Sequence, residues 1–215
     1  MVERLQKPLI PLCVVDLDGT LLTGNSMKFL MLWLPKELWR KRMPLKAAQA
    51  SYWIALRGAR LVSHRRMKWH LARIANRSLS DNDWNRFAAS LLQAVNPTVM
   101  AHIASHKSKG ACICVASAAM TEYVEPFSSM AGIDKQLSTP FTERYSDYTE
   151  LRGIRKLQAI HNLLASGIYR VSCFLTDHSD DLPTAAAYPA ETLLVNPSAA
   201  SAARFAEAGI TNRLL

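Results

Sequence analysis

Cysteines and long apolar runs are scarce in this sequence, and each scarcity excludes a class of protein. Four cysteines in 215 residues are too few for a disulfide-stapled scaffold, so we expect a reduced, cytoplasmic protein. Apolar runs such as Phe29–Pro35 fall far short of the roughly 20 residues that a membrane-spanning helix needs. The first fifteen residues mix charges of both signs without a small-residue cleavage site, so we expect no signal peptide.

Acidic residues are scarce in one segment only. Between Thr23 and Val95 there are 14 basic and 3 acidic residues, a balance of +11, whereas the remainder has 12 basic and 14 acidic residues, a balance of −2. All five tryptophans also lie in this segment. Such a shift in composition predicts a structural boundary. We therefore expect a near-neutral core formed by residues 1–22 and 96–215, interrupted by a basic, tryptophan-rich insert at 23–95.

The insert has the pattern of a helical unit. Met67, Leu71 and Ile74 recur at helical spacing, and no stretch of the insert shows the alternation of a strand. The apolar run at 27–34 predicts a helix that ends at Pro35, because proline disrupts the interior of a helix.

Outside the insert, strands alternate with helices. Short apolar runs predict strands at 10–15, 111–116, 171–175 and 191–195, and helical patterns occupy 97–109, 121–131, 154–165, 181–188 and 199–208. Buried strands separated by helices favour an α/β fold in which a doubly wound parallel sheet carries helices on both faces. In such folds the active crevice lies beyond the carboxyl ends of the strands.

Polar residues of a specific kind follow three of the predicted strands. The first strand is followed by Asp-Leu-Asp-Gly-Thr at 16–20, the second by Ser-Ala-Ala at 117–119, and the third by a segment with acids at 177, 180 and 181. Lys156 stands near a helix start between the last two. Carboxylates this close repel one another, so they need a cation, and oxygen ligands favour Mg²⁺ with a substrate phosphate. One carboxylate can then serve as a nucleophile that forms an aspartyl-phosphate, and a second as acid and base.

These motifs, in this order, resemble the haloacid dehalogenase superfamily. The resemblance is closest to its subfamily IB, the phosphoserine-phosphatase-like enzymes, on residues 115–126, on Ser-Asp-Asp-Leu-Pro at 179–183 and on Val-Asn-Pro at 195–197. It implies a Rossmann-like core with an inserted helical cap of the C1 type at 23–95. It also implies a Mg²⁺-dependent phosphatase.

The resemblance further implies a role for each motif residue. Asp16 corresponds to the nucleophile and a metal ligand, and Asp18 to the general acid and base, with its carbonyl on the metal. The remaining correspondences are Ser117, Ala118 and Lys156 for phosphate binding, Asp177 for the metal, and Thr20 and Asp181 for support. Two alternatives stay open at this point: Asp180 competes with Asp181, and Arg155 competes with Lys156.

Three functional hypotheses follow. The first is a Mg²⁺-dependent phosphomonoester phosphatase whose small phosphorylated substrate is unknown. The second is a lipid-phosphate phosphatase, similar to phosphatidylglycerophosphate phosphatases, that works peripherally at an anionic membrane surface through the run Phe29–Pro35 with Trp33 and Trp39. The third is a nucleic-acid-binding module that uses the basic insert, although no recognised binding motif supports it.

Two further patterns remain. We expect the basic residues Arg65, Arg66, Lys68 and Arg73 to form a positive face of the insert that borders the crevice and captures anionic substrate. His102 and His106 have the spacing of metal ligands on a helix. Because the sequence shows no third ligand, we interpret these histidines as a partly exposed helix face.

Overall fold

In residues 8–210 and 212–215, which the computed structural model describes, the strands form a single parallel sheet. Their bounds are β1 Ile10–Val15, β2 Cys112–Met120, β3 Lys135–Thr139, β4 Tyr169–Thr176, β5 Glu191–Leu194 and β6 Asn212–Leu214. They lie in the order β3-β2-β1-β4-β5-β6, and every neighbouring pair is parallel. The expectation of no signal peptide rests partly on residues 1–7, which lie outside the described residues.

Helices connect the strands and build the insert. Their bounds are α1 Ser26–Arg40, α2 Pro44–Gly58, α3 His64–Asn76, α4 Asp81–Leu91, α5 Pro97–Ser108, α6 Thr121–Met130, α7 Ile154–Leu164, α8 Leu182–Ala187 and α9 Ala199–Glu207. Among the described residues, no helix combines the length and the apolar character that crossing a membrane requires.

Both faces of the sheet are buried, which is why its strands are apolar throughout. Val14 of β1 belongs to a core cluster with Ile160 of α7 and Phe205 of α9, whereas Val15 belongs to a second cluster with Ile103 of α5. Successive side chains of a strand point to opposite faces, so helices cover the sheet on both sides. The prediction of a doubly wound, Rossmann-like α/β fold is confirmed.

The insert packs onto the core through an apolar cluster that the two parts share. Leu30 of α1, Leu71 of α3 and Phe87 of α4 are fully buried in the same cluster as Val15 of β1. Phe87 meets Tyr123 of α6 edge to face, with ring centroids 5.2 Å apart. From residue 26 to residue 91, a stretch described without gaps, the chain contains helices and turns and no strand.

Helix α1 does not end at Pro35, so that expectation is wrong. The helix continues to Arg40 with Pro35 inside it. Leu34 and Leu38, on either side of the proline, are fully buried. Burying two leucines stabilises the helix by about 3–6 kcal/mol, which offsets the roughly 3 kcal/mol that an interior proline costs.

Two strands were missed from the sequence because they lie at the edges of the sheet. Strand β3 pairs only with β2, and its sequence Lys-Gln-Leu-Ser-Thr contains a single large apolar residue. Strand β6 is three residues long and pairs only with β5. An edge strand buries little side-chain area, so its sequence carries no long apolar run.

Candidate active site

The carboxyl ends of β1, β2 and β4 bring the predicted site residues to one edge of the sheet. Asp16 follows β1, Asp177 follows β4, and Lys156 lies in the first turn of α7. The backbone N–H of Asp16 donates to the Leu175 carbonyl at 2.9 Å, which continues the pairing of β1 with β4 beyond the last strand residue. Parallel pairing thus holds the first and fourth motifs side by side.

Lys156 is the centre of a buried network of charges. Its Nζ donates to Asp16 Oδ1 at 2.7 Å and to the Asp181 carboxylate at 2.8 Å, and only 3% of the residue is exposed. Thr176 donates to the same Asp181 carboxylate at 2.8 Å. Burial alone would lower the pKa of Lys156, but Asp16 and Asp181 raise it above its usual range, so the ammonium stays charged.

The structure distinguishes the two alternatives that the sequence left open. Asp181 is 3% exposed and faces Lys156, whereas the neighbouring Asp180 forms an ion pair with Arg152 at the rim. Arg155, the competitor of Lys156, is exposed on α7. In each pair, the residue whose side chain is buried in the site is therefore Asp181 or Lys156, respectively.

Asp16 is buried enough to hold its proton unusually well. Burial raises its pKa, as do the charges of Asp181 and Asp18, while Lys156 acts in the opposite direction; the net pKa is about 7. An added positive charge would therefore strongly stabilise the ionised form of this carboxyl.

Asp18 points towards the insert. Its Oδ1 accepts a hydrogen bond from the Ser26 N–H at 2.6 Å, and its Oδ2 accepts one from the Asn25 side-chain amide at 3.3 Å. Asn25 is the N-cap of α1 and Ser26 its first residue, so the Asp18 carboxylate accepts hydrogen bonds from the N-terminus of the first helix of the insert. Burial raises the pKa of Asp18, although the Ser26 N–H acts in the opposite direction.

Asp177 depends on the glycine of the first motif. Gly19 has φ +79°, and a Cβ at this position would lie 2.2 Å from Asp177 Oδ2, so only glycine leaves room for the carboxylate. Thr20 is fully buried, and its hydroxyl donates to Asp177 Oδ1 at 3.5 Å. Burial raises the pKa of Asp177 as well.

Ser117 and Ala118 lie inside β2 and not beyond its end, which corrects the expected strand boundary. Pairing between β2 and β3 is irregular between Ala116 and Met120, so Ser117 and Ala118 lie where the ladder is interrupted. The hydroxyl oxygen of Ser117 accepts from the Ala119 N–H at 3.1 Å, and Ser117 is 2% exposed. Both Ser117 and Ala118 line the same cavity as Asp16.

That cavity, of about 230 Å³, lies between the core and the insert. Seven of its lining residues were assigned no site role from the sequence: Asn25, Met27 and His64 from the insert, Glu150, Leu151 and Arg152 from the loop before α7, and His178 next to Asp177. Most of these carry no motif that could have revealed them. Lys68 was expected at the crevice only as one of four basic residues, and its position next to the buried stripe of α3 is a weak signal, because such lysines are usually solvated.

The expected positive face of the insert is divided among different environments. Lys68 is 4% exposed and donates to the Ala118 carbonyl at 2.8 Å and to Glu150, at the cavity. The Arg65 guanidinium instead donates to the Tyr148 carbonyl, and Arg73 lies over the Trp69 ring. Lys68 alone among the four residues of that face lines the cavity. Successive helix positions differ by about 100°, so Lys68 and Arg73, five positions apart, lie roughly 140° apart on α3 and cannot both face the cavity.

The acidic side chains of the cavity fit a hard cation. Asp16, Asp18 and Asp177 offer oxygen atoms only, and burial raises the pKa of all three carboxyls. A divalent cation would relieve the cost of ionising them together, and oxygen ligands favour Mg²⁺ over softer metals.

Comparison with known proteins agrees with this arrangement. The family model of the haloacid dehalogenase-like hydrolases matches residues 13–186. Among curated proteins, none matches this sequence.

Solved structures share the fold at low sequence identity. A protein of unknown function from Bordetella pertussis Tohama I has a TM-score of 0.71 and 16% identity, with 95% of this chain and 98% of that chain covered. A phosphoserine phosphohydrolase-like protein from Francisella tularensis has a TM-score of 0.53 and 17% identity, covering 93% and 99%. A phosphoserine phosphatase in its apo form has a TM-score of 0.60 and 10% identity, covering 91% and 90%. At these identities the likeness is one of fold.

Proposed function

The chain belongs to the haloacid dehalogenase-like hydrolases, and from this membership we propose that it is a Mg²⁺-dependent phosphatase that hydrolyses a phosphomonoester through an aspartyl-phosphate on Asp16. The observation that carries the proposal is the contact of Lys156 with both Asp16 and Asp181 at the bottom of a cavity that Asp18 and Asp177 also line. The carboxylates, the Lys156 ammonium group and the Ser117 hydroxyl converge in this cavity, as phosphoryl transfer requires.

In the first step, Asp16 attacks the phosphorus atom. Lys156 engages Asp16 Oδ1, so Oδ2 is the attacking oxygen. The bond from Asp16 to phosphorus forms while the bond from phosphorus to the leaving oxygen breaks, and Asp18 gives that oxygen its proton. The raised pKa of Asp18 favours the protonated form that this step needs.

In the second step, water hydrolyses the aspartyl-phosphate. Asp18, now ionised, takes a proton from the water as the water oxygen bonds to phosphorus. The bond to Asp16 breaks, and inorganic phosphate leaves. Lys156, the Ser117 hydroxyl and the N–H of Ala118 hold the phosphoryl oxygens in both steps.

The Mg²⁺ site would consist of the Asp16 and Asp177 carboxylates and the Asp18 carbonyl. The ion would offset the charge of the phosphate next to three carboxylates. We further propose that residues 23–95 act as a cap over the core of 1–22 and 96–215, because Met27, His64 and Lys68 close one side of the cavity.

The test is hydrolysis of an aryl phosphate by chelator-treated protein before and after Mg²⁺ is restored. We expect activity only with Mg²⁺, together with a phosphorylated protein that acid quenching traps and intact-mass analysis detects. Full activity in excess chelator, or a trapped phosphate on another residue, would overturn the mechanism. Screening phosphorylated metabolites and lipid phosphates under the same conditions then identifies the substrate.

A second candidate, a lipid-phosphate phosphatase, is favoured by one surface. On α1, Leu32 and Trp39 are 67% and 70% exposed, and Leu45 at the start of α2 is 85% exposed. Lys28 and Lys36 are exposed on the same helix. Apolar and basic side chains together suit an anionic membrane surface. Trp33, which was expected to take part, instead packs against Phe87 with ring centroids 5.1 Å apart.

Sedimentation with vesicles distinguishes this candidate from the first. Vesicles rich in phosphatidylglycerol should bring down the wild-type protein, and the Leu32→Ser, Trp39→Ser double variant should stay in solution. Binding that is equal for the two proteins, or absent for both, rejects the membrane hypothesis and leaves the phosphatase proposal untouched.

A further inference from the structure

A second cluster of metal-ligating side chains lies away from the active site. It contains His102 and His106 of α5, Cys173 of β4 and Glu191 of β5. One ligand atom from each residue lies within 4.8 Å of the ligand atoms of the other three. The Nε2 atoms of the two histidines are 3.0 Å apart.

Two regular features of the fold bring these residues together. His102 and His106 are four positions apart, so they share one side of α5. Cys173 and Glu191 are paired in register on neighbouring parallel strands, so they project from the same face of the sheet. That face is the one under α5, because Cys173 belongs to the same core cluster as Val99 and Ile103.

The separations suit a small four-coordinate ion. Tetrahedral zinc with bonds of about 2.0–2.3 Å places its nitrogen and sulfur ligands roughly 3.3–3.6 Å from one another. The four atoms lie within 4.8 Å before any ion is bound. Closing the set around a metal therefore needs shifts of about 1 Å, which side-chain rotation supplies.

We propose that His102 Nε2, His106 Nε2, Cys173 Sγ and a carboxylate oxygen of Glu191 bind one divalent transition-metal ion, of which zinc fits the donor set best. Imidazole and thiolate ligands select zinc and similar borderline-soft ions over Mg²⁺. As the metal–sulfur bond forms, the Cys173 thiol releases its proton to solvent, and the histidine that donates from Nε2 in the ring-to-ring hydrogen bond changes to the tautomer protonated on Nδ1. The thiolate and the Glu191 carboxylate then balance both charges of the ion.

This site is separate from the proposed catalytic centre. All four residues are described, and they lie outside the lining of the active-site cavity. Cys173 pairs in register with Cys13, which precedes Asp16 by three residues, or about 10 Å along the strand. Metal binding at this site does not require the proposed phosphatase activity.

Four protein ligands leave no open position for substrate, so the ion has a structural role. It ties α5, which follows the insert, to β4 and β5 of the sheet. Cys173 is fully buried, whereas Glu191 is exposed and both histidines are half-buried, so solvent reaches one side of the cluster. Metal can therefore enter the folded protein.

The test uses Co²⁺ as a spectroscopic probe of the full-length, chelator-treated protein. We expect one Co²⁺ per chain, with the near-ultraviolet thiolate-to-metal band and the strong visible absorption of tetrahedral cobalt, and displacement by Zn²⁺. Cys173→Ser should lose the thiolate band. Cys13→Ser and Cys114→Ser should keep it, because Cys13 lies outside the ligand set and Cys114 faces the opposite side of the sheet.

A second measurement keeps the proposal testable if Cys173→Ser fails to fold. Glu191→Gln and His106→Gln change solvent-accessible positions, and each should weaken Zn²⁺ binding at least about 10-fold. Zn²⁺ should raise the Tm of the wild type, and this rise should be lost in the His102→Gln, His106→Gln double variant.

Two results would overturn the proposal. One is a wild-type protein without the thiolate band, and the other is a band that persists in Cys173→Ser. In the first case the side chains at this place would be linked without a metal, by the hydrogen bond between the two rings. Because the variants lie outside the active-site cavity, their Mg²⁺-dependent activity should equal that of the wild type, which separates failure here from failure of the proposed function.

Discussion

The two walls of the candidate active-site cavity each carry a buried lysine, and the two lysines have different partners. On the core wall, Lys156 contacts the carboxylates of Asp16 and Asp181. On the insert wall, Lys68 contacts the Ala118 carbonyl and Glu150. The core lysine therefore touches the proposed reacting group, whereas the insert lysine touches the backbone that frames it. The chemistry should reside in the core wall, and the insert wall should govern how substrate is held.

Removing the nucleophile tests the core wall and has the largest expected effect. Asp16→Asn should lower kcat for an aryl phosphate on the order of 10⁴-fold or more, because no other group can form the covalent intermediate. Lys156 keeps its contact with Asp181, so the variant should fold, with near-wild-type circular dichroism as the check. A wild-type rate would show that the first motif is misassigned.

Removing the insert lysine tests the other wall. Lys68→Met should lower kcat/KM about 10- to 100-fold, mainly through KM, because the cavity loses an ammonium that faces an anionic substrate. The loss should shrink at high salt, since ions screen the attraction. Arg66→Met removes the same charge from an exposed position of α3 and should change kcat/KM little. Equal losses in both variants would mean that only the overall charge matters.

A buried carboxylate inside the insert, that of Asp83, should contribute strongly to the stability of the insert. Asp83 is 3% exposed, forms ion pairs with Lys41 and Arg86, and completes a capping box with Ser80. Asp83→Asn should lower the free energy of unfolding by about 2–3 kcal/mol, because Lys41 loses its carboxylate partner, Arg86 keeps only Glu37, and the cap of α4 weakens.

The matched control for Asp83 is an exposed ion pair. In the pair of Arg77 with Glu143 the side chains are 49% and 70% exposed, so Glu143→Gln should cost less than about 0.5 kcal/mol. Denaturant unfolding measures both variants. Similar losses for the two would contradict a special role for the buried centre.

The smallest expected effect concerns the pH dependence of the insert. Burial, together with the charges of Arg66 and Arg73, lowers the pKa of His70 to about 4. Its ring stacks on Trp53, with centroids 3.4 Å apart. In the unfolded chain His70 binds a proton near pH 6.5, whereas in the folded chain it does so only near pH 4. The contribution of neutral His70 to the free energy of unfolding is therefore complete above pH 6.5 and is lost as the pH falls towards 4.

The substitution His70→Gln removes this titrating group. Between pH 7 and pH 5, the Tm of the variant should fall less than that of the wild type. Identical falls would show that His70 titrates alike in the folded and unfolded chains.

All the predicted site residues except Thr20, which donates to Asp177, line one cavity, because their positions follow from a local pattern. Each lies in or just after a strand, or at a helix start, and such positions converge at one edge of a parallel sheet. The choices of Lys156 over Arg155 and of Asp181 over Asp180 had no such basis. Adjacent residues at a helix start differ only in the direction of the side chain, which packing determines.

The metal cluster likewise combines a local sequence pattern with contacts that only the tertiary structure creates. The spacing of His102 and His106 is visible in the sequence, but their partners Cys173 and Glu191 are more than 60 positions away. Cys173 lies next to Glu191 only because β4 and β5 pair in one register. A shift of one residue would turn one of the two side chains to the opposite face of the sheet.

By itself, the amino-acid sequence determined the α/β class, the helical insert and the set of acids, lysine and serine at the strand ends. These follow from backbone periodicity and local chemistry, which act over a few residues. The tertiary structure decided which groups touch: Lys156 with Asp16 across 140 positions, Lys68 with Ala118 across 50, and Cys173 with Glu191 through strand register. Such contacts depend on the packing of distant segments against one another, for which no short stretch of sequence carries a signal.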